Sequence, residues 1–269
     1  MTPQASEPQP APPNTCRRYV GRSVLITGGA AGIGRATAER IAAEGGNVFI
    51  TDRNSQALTE TENELVKGGA LVASSVMDVS SEDDWRRCLL EFRHAFATLD
   101  VLVNNAGFSH VGMITEYRAE DWRTLHDTQL FGMFLGMKHS IPLLREAGRG
   151  AIVNVASTMG MMGFPRIPAY SAAKGGVIAL SRQVALDFAP DNIRVNCVCP
   201  GPTRTERLRG IVDSGDSLSL GIGAMTDERM KGFFDEMVRA RVVKPDLDYR
   251  RAYTLQFVNK KVGLDLRPK

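Results

Sequence analysis

The sequence predicts an α/β fold built on a single doubly wound parallel β-sheet of the Rossmann type, with helices on both faces. Short β-branched runs alternate with amphipathic helical stretches from Val20 to about Cys199. This alternation is typical of parallel strands that are joined by right-handed crossovers. Runs such as VLIT and VLVN are apolar throughout, as expected of strands that are buried on both faces of a sheet.

Six strands and three clear helices account for most of this region. The strands are predicted at Ser23–Thr27, Asn47–Thr51, Ala70–Val76, Val101–Asn104, Ala151–Val155 and Arg194–Val198. The helical patterns between them include Arg35–Ala43, Ser55–Lys67 and Glu82–Phe96. No internal repeat or second domain is evident, so residues 20–269 are predicted to form one domain.

The two ends of the chain have a different texture. Residues 1–19 are rich in Pro and Gln and are predicted to be a disordered tail. Residues 206–244 begin as a Gly/Ser-rich stretch and continue into a predicted helix at 226–240, which suits a substrate loop or lid. Residues 245–269 are polar and basic, with one alternating run at Tyr253–Val258 that could form a strand.

Composition and charge argue against several classes of partner. The net charge of +3 is too small to imply a nucleic-acid or membrane partner, and no apolar run reaches the length of a membrane span. The first residues lack the apolar stretch of a signal peptide, which predicts a cytoplasmic protein. The cysteines and histidines are scattered without a ligand spacing, so no metal site is predicted.

A glycine-rich turn follows the first predicted strand and opens directly into a helix. A pyrophosphate requires backbone N–H groups close by and a helix N-terminus directed at it. Gly28, Gly32 and Gly34 would remove the side chains that block this approach, and Ile33 lies between them. These four residues are therefore predicted to bind a dinucleotide, the alternative being a tight turn that needs glycine only for packing.

The end of the second strand bears on which dinucleotide is bound. Asp52 lies about 20 residues past the glycines, where a carboxylate can accept hydrogen bonds from both ribose hydroxyls. Such a carboxylate would also repel a 2′-phosphate, whereas Arg53 next to it favours one. Because contact between desolvated like charges is costly, the sequence predicts NAD in preference to NADP.

A tyrosine and a lysine lie four residues apart in an apolar helical stretch. Tyr170 and Lys174 therefore share one face of that helix. A free tyrosine titrates near pH ~10, and a neighbouring ammonium lowers its pKa by favouring the phenolate. Ser157 follows the strand AIVNV and can donate to a substrate oxygen. The alternatives are a solvated helix face for the pair and a turn hydroxyl for the serine.

Taken together, the motifs resemble those of the short-chain dehydrogenase/reductase family over roughly residues 20–205. The residues that carry the resemblance are TGGAAGIG (27–34), NNAG (104–107), Ser157, YSAAK (170–174) and PGPTRT (200–205). The resemblance implies alcohol–carbonyl oxidoreduction with Tyr170 as acid/base, Lys174 also binding the nicotinamide ribose, and a homodimer or homotetramer. It adds further expected cofactor contacts at Asp78, Val79, Asn105, Ala106, Pro200, Gly201, Thr203 and Thr205.

This sequence departs from the family pattern at two places. Gln129 stands where the family has an asparagine that helps to organise a water between the lysine and solvent. Glutamine keeps the amide but moves it by a methylene, so the resemblance predicts a slowed or rerouted proton relay. Beyond residue 210 nothing resembles the usual end of the family, which makes the usual homotetramer less secure.

The loop before the catalytic tyrosine suggests the kind of substrate. It carries Met159, Met161, Met162 and Phe164, whose flexible apolar side chains suit a bulky apolar alcohol or ketone. The alternative is that these side chains fill gaps between elements. A different function, a dinucleotide-binding regulatory or scaffold protein with weak catalysis, is suggested by Gln129 and the unfamiliar C-terminus. The intact Ser157, Tyr170 and Lys174 argue against it.

Overall fold

The structure is a computed structural model. It describes residues 16–201, together with Thr203, Thr205, Lys231 and Asp235. The chain divides into two units after Gly201, and the fold below is that of the first. Lys231 and Asp235 are helical and form an ion pair at 2.8 Å. The rest of the predicted loop or lid at 206–244, and the strand predicted at Tyr253–Val258, lie outside the described residues.

Six parallel strands form one sheet in the order β3-β2-β1-β4-β5-β6. The chain builds outward from β1 to β3, then crosses to β4 on the other side of β1 and builds outward to β6. A ligand site is expected at the carboxyl ends of β1 and β4, where the winding reverses. The predicted doubly wound parallel sheet is confirmed. The strands are β1 (Ser23–Thr27), β2 (Asn47–Asp52), β3 (Val72–Val76), β4 (Val101–Asn104), β5 (Gly150–Val155) and β6 (Ile193–Val198).

Six helices cover the two faces of the sheet. Two of these helices begin at a side-chain N-cap: Asn54 and Ser81 each accept a hydrogen bond from a backbone N–H three residues later in the chain. A π-helical turn, Asp127–Phe131, joins α4 to α5 without a break. The helices are α1 (Gly32–Ala43), α2 (Ser55–Lys67), α3 (Glu82–Ala95), α4 (Ala119–His126), α5 (Gly132–Glu146) and α6 (Pro168–Asp187).

The core consists of two main apolar clusters that share the sheet. Along β1, Val24 and Ile26 belong to one cluster and Leu25 belongs to the other. Successive side chains of a strand point to opposite faces, so both faces of β1 are buried. This is the environment that the apolar run of the first strand predicted. None of the described helices is long and apolar enough to cross a membrane.

Some limits of the elements differ from those that the sequence predicts. Helix α1 begins at Gly32, three residues before the predicted start, because the turn itself winds into the helix. Arg18 and Tyr19 fall within the tail predicted at residues 1–19, yet both contact the described fold, and the guanidinium of Arg18 bonds the buried carboxylate of Glu44 at 2.5 and 2.6 Å. Tyr19 packs against the core. Both contacts are long-range, which is why composition alone did not reveal them.

Candidate active site

The turn after β1 is closely packed against the segment after β4. A Cβ on Gly34 would lie 2.1 Å from the carbonyl oxygen of Gly28, and a Cβ on Gly28 would lie 2.8 Å from Cα of Ala106. Gly28 and Gly32 also have φ of +64° and +55°, which L side chains rarely adopt. Ile33 is half-buried at the first turn of α1. The glycines at these positions are therefore required by the backbone itself.

The N-terminus of α1 is suited to an anion. Its N-cap residue, Ala31, makes no side-chain hydrogen bond to the helix, and the first turn contains no acidic residue. The first N–H groups of a helix have no partner within the helix, and its dipole favours negative charge. A pyrophosphate can approach these groups because the neighbouring glycines carry no side chains. The residues present thus fit a dinucleotide.

Hydrogen bonds fasten the end of β4 to the glycine turn. Thr27 Oγ1 accepts the backbone N–H groups of Asn105 and Ala106 at 2.9 and 3.0 Å. The amide Nδ2 of Asn105 donates to the carbonyl oxygens of Thr27 and Gly28 at 3.0 and 3.1 Å. The structure therefore brings together two of the groups of residues in which the sequence predicts cofactor contacts. The role of Thr27 was not predicted, although it is the residue that opens the glycine motif.

Three acidic and basic residues surround the place expected for the adenosine. Asp52 ends β2 and is half-buried, with Oδ2 accepting from Ala30 N at 3.4 Å and Oδ1 from Asn54 N at 3.0 Å. Arg53 is exposed. After β3, Asp78 is exposed and Val79 is buried in the core, where its carbonyl oxygen accepts from Trp85 Nε1 at 2.9 Å. Asp52 is thus held beside the glycine turn.

Ser157 lies in the turn after β5, and Tyr170 and Lys174 lie on α6, which packs against that turn. The Lys174 amine donates to the carbonyl oxygen of Val155 at 2.7 Å and lies 5.6 Å from the centre of the Tyr170 ring. Ser157 follows β5 by two residues and is buried; its Oγ accepts from Met159 N at 3.2 Å. Since that bond uses an oxygen lone pair, the Ser157 hydroxyl hydrogen is available to a substrate.

Burial sets the electrostatics of this group. Lys174 is 3% exposed, and removal from water lowers the pKa of its amine to about 7. The thiols of Cys197 and Cys199 act in the opposite direction, raising the pKa by a smaller amount. The amine is therefore poised between its two protonation states near neutral pH, and negative charge placed beside it would favour the ammonium.

The turn after Ser157 is fixed to α6 by a close backbone contact. A Cβ on Gly160 would lie 2.6 Å from the carbonyl carbon of Lys174. On its other side, Thr158 N donates to the carbonyl oxygen of Pro200 at 3.1 Å. Pro200 is half-buried and Gly201 is exposed. Thr203 and Thr205 belong to the second unit, so their predicted contacts with the cofactor stay predictions.

An aromatic cluster around the tyrosine was not predicted. Tyr170 packs with the side chains of Phe108, Tyr117 and Trp122 around the buried Leu125. Tyr117 donates its hydroxyl to the carbonyl oxygen of His110 at 2.5 Å. Phe108 and Tyr117 come from the segment between β4 and α4, which has no strand or helix periodicity, whereas Trp122 and Leu125 lie on α4. The only signal in the sequence was a series of spaced aromatic residues after NNAG.

The residues predicted to contact substrate lie in the loop between Ser157 and α6. Met159 is half-buried, whereas Met161, Met162 and Phe164 are exposed by 69, 64 and 56%. A second loop with exposed apolar side chains is tied to them, because Gly112 N donates to the carbonyl oxygen of Arg166 at 2.7 Å. The exposed apolar residues of that loop are Val111, Met113 and Ile114.

Gln129 lies in the π-helical turn and is 1% exposed. Its side-chain Nε2 donates to the carbonyl oxygen of Phe108, while Oε1 accepts no hydrogen bond from the residues that the structure describes. A Cβ on Gly107 would lie 2.5 Å from that Oε1. The amide is therefore directed at the segment after β4.

Comparison with known proteins agrees with this geometry. The sequence matches the model of the short chain dehydrogenase family over residues 22–214. It is 39% identical to trans-4-hydroxycyclohexanecarboxylate dehydrogenase of Sinomonas cyclohexanicum, over 78% of this chain and 83% of that protein. It is 34% identical to cyclopentanol dehydrogenase of Comamonas testosteroni, over 77% and 82% of the two chains.

The fold agrees with solved structures as well. NAD⁺-bound xylitol dehydrogenase superposes with a TM-score of 0.70 at 32% identity, covering 77% of this chain and 79% of the other. The family match spans well over half of the chain and includes the glycine turn, Ser157, Tyr170 and Lys174. The chain therefore belongs to the short-chain dehydrogenase/reductase family of oxidoreductases.

Proposed function

We propose that this enzyme is an NAD(H)-dependent dehydrogenase that interconverts a bulky apolar, preferably cyclic, alcohol and its ketone. The observation that carries the proposal is the buried amine of Lys174, held by Val155 and facing the ring of Tyr170. A buried amine with a lowered pKa is costly to keep, and such groups cluster at catalytic sites. Here it lies next to the phenol of Tyr170, the group proposed to exchange a proton with substrate.

The three side chains take complementary roles in the proposed reaction. When bound, the nicotinamide accepts the hydride of the alcohol carbon or supplies it to the ketone carbon. In oxidation, the Tyr170 phenolate takes the hydroxyl proton of the alcohol; in reduction, the phenol returns it. Protonated Lys174 stabilises the phenolate, and Ser157 Oγ donates to the substrate oxygen as charge develops there.

The preference for NAD over NADP rests on Asp52. Its half-buried carboxylate is held at the glycine turn through Ala30 N. A 2′-phosphate at that position would meet a negative charge, while the two ribose hydroxyls would meet an acceptor. Arg53 is exposed and can turn away into water. The solved xylitol dehydrogenase, which is NAD⁺-bound, is consistent with this preference.

The substrate class is inferred from the two tied loops and from the relatives. Exposed apolar side chains gathered at one place mark a surface that binds an apolar group. The loop after Ser157, which leads into α6 and Tyr170, and the loop at 111–114 present six such side chains. The names of two relatives specify a ring-bearing alcohol, a hydroxycyclohexanecarboxylate and cyclopentanol. A neutral ring fits the apolar surface of this chain.

The test is a spectrophotometric screen of the purified full-length chain. NAD⁺ reduction is followed with cyclohexanol, cyclopentanol, 2-propanol and ethanol, and NADH oxidation with the matching carbonyls; each is repeated with the phosphorylated cofactor. We expect kcat/KM to be highest for the cyclic pair with NAD(H). Absence of turnover across the panel, with tight NADH binding, would instead support a regulatory or scaffold protein.

A further inference from the structure

Gln129 is held at the active site by features on both sides of the π-helical turn. On one side, Gly107 leaves the space in which the carboxamide lies. On the other side, Gly176 of α6 leaves space for Leu130, since a Cβ there would lie 2.9 Å from the leucine Cδ2. A π turn inserts an extra residue into a helix and is frequent at functional sites. The turn thus presents Gln129 inward, wedged between the β4 segment and α6.

The side-chain amide of Gln129 holds one backbone carbonyl group, that of Phe108. Its single hydrogen bond within the described part of the chain is the one from Nε2 to the carbonyl oxygen of Phe108. Phe108 and Tyr170 both pack against the buried side chains of Leu125, Ala169 and Ala173. A buried carbonyl bonded by a buried amide is costly to release, because each group would then lack a partner. The position of Phe108 on the cluster that it shares with Tyr170 therefore depends on the length and the donor of the Gln129 side chain.

We propose that Gln129 is a positioning residue which fixes Phe108 on the buried cluster that also holds Tyr170, and so shapes the surface that receives the substrate ring. The proposal rests on the proposed function. It differs from the relay role expected by resemblance, because the described contact of the amide is with the substrate-side segment. Loosening Phe108 should impair recognition of a large ring more than that of a small alcohol, and should leave the dinucleotide contacts intact.

The main test changes the donor and keeps the length. In Gln129→Glu, a protonated carboxyl can still donate to the Phe108 carbonyl, whereas a carboxylate cannot. Burial raises the pKa of such a glutamate. The ratio of the variant's KM for cyclohexanol to that of the wild type should therefore be near one at the acid end of the pH range. It should rise about tenfold at the alkaline end, since a lost hydrogen bond of about 1.4 kcal/mol corresponds to that factor.

A second variant shortens the reach. In Gln129→Asn the amide ends one methylene earlier, so KM for cyclohexanol should rise at all pH values while KM for 2-propanol changes less than twofold (an order-of-magnitude expectation). Combining it with Gly107→Ala gives an independent check. Gly107→Ala alone forces a Cβ onto the glutamine amide, and the shorter asparagine should partly restore cyclohexanol turnover. Gln56→Asn, on the exposed face of α2, is the matched control.

The possible results separate this proposal from the others. A ring-selective rise in KM with unchanged NADH affinity supports it. A lower kcat with a shifted pH profile and the same KM ratio for cyclohexanol and 2-propanol would overturn it in favour of a relay role, as would wild-type values in both variants. If Gln129→Asn does not fold by circular dichroism, the Gly107→Ala/Gln129→Asn double variant and Gln129→Glu at acid pH decide between the positioning role and the relay role. A wild-type enzyme without alcohol turnover would overturn the proposed function instead.

Discussion

The proposed cofactor side and the proposed substrate side of this site are built in opposite ways. On the cofactor side, glycines allow backbone to touch backbone, as where a Cβ on Gly34 would lie 2.1 Å from the Gly28 oxygen. On the substrate side, long apolar side chains project into solvent, as at Met161 and Phe164. The first arrangement has little freedom to change without loss of the ligand, whereas the second tolerates changes of side chain. A rigid backbone site suits a cofactor that stays the same, and exposed side chains suit a substrate surface that can change.

Removing the proton donor between the two sides should give the largest effect. Tyr170→Phe keeps the ring in the aromatic cluster but removes the hydroxyl, so kcat should fall by about a hundredfold to ten-thousandfold. NADH affinity, measured by fluorescence titration, should stay within about twofold of wild type because the ring keeps its packing. A variant that retains most of its turnover would contradict the proposed role of Tyr170.

The rigidity of the cofactor side can be tested at its closest contact. Gly34→Ala pushes a Cβ into backbone, and overpacking of this kind costs about 1–3 kcal/mol. We expect NADH affinity to fall roughly tenfold to a hundredfold and the melting temperature to drop. Gly163→Ala is the control, because a Cβ there would have no neighbour within 4 Å. Equal affinities in the two variants would show that the turn is more pliable than its contacts suggest.

The charge at the ribose position should have a smaller and more specific effect. Asp52→Ala removes the acceptor for two hydroxyls and the repulsion of a 2′-phosphate. The ratio of kcat/KM for NAD⁺ to that for NADP⁺ should fall about tenfold or more, since hydrogen bonds to charged groups contribute roughly 1.5–3 kcal/mol. Asp187→Ala on α6, which is exposed, should leave the ratio unchanged. A wild-type enzyme that already uses both cofactors equally would show that Arg53 outweighs the carboxylate.

The tolerance of the substrate side predicts the smallest effect. Phe164→Ala removes one of several exposed apolar contacts, worth about 1 kcal/mol, so KM for cyclohexanol should rise roughly fivefold. Cofactor affinity and melting temperature should not change. Leu186→Ala removes a similarly exposed side chain, on the surface of α6, and should leave KM unaltered. If the two variants behave alike, the methionine and phenylalanine side chains do not belong to the substrate surface.

Local patterns were sufficient for the sheet, the glycine turn and the pairing of Tyr170 with Lys174. Strand ends and a four-residue helical spacing are determined by neighbours in sequence, which a linear reading captures. The π-helical turn was missed because DTQLF has no distinctive composition; it exists because Gly107 and Gly176 leave space for Gln129 and Leu130. The aromatic cluster was missed for the same reason. Phe108 and Tyr117 come from an aperiodic segment and Trp122 from α4, and only tertiary packing brings them to the buried side chains that Tyr170 also contacts.

The burial of the Lys174 amine also connects catalysis to the solvent protons. An amine with a pKa of about 7 is only partly protonated at neutral pH. A phenolate forming beside it in the proposed reaction would complete that protonation, and the proton would come from the buffer. The heat of forming the reactive complex should then depend on the ionisation enthalpy of the buffer. Calorimetry in two buffers of equal pH would thus register a protonation step that absorbance at the nicotinamide band does not report.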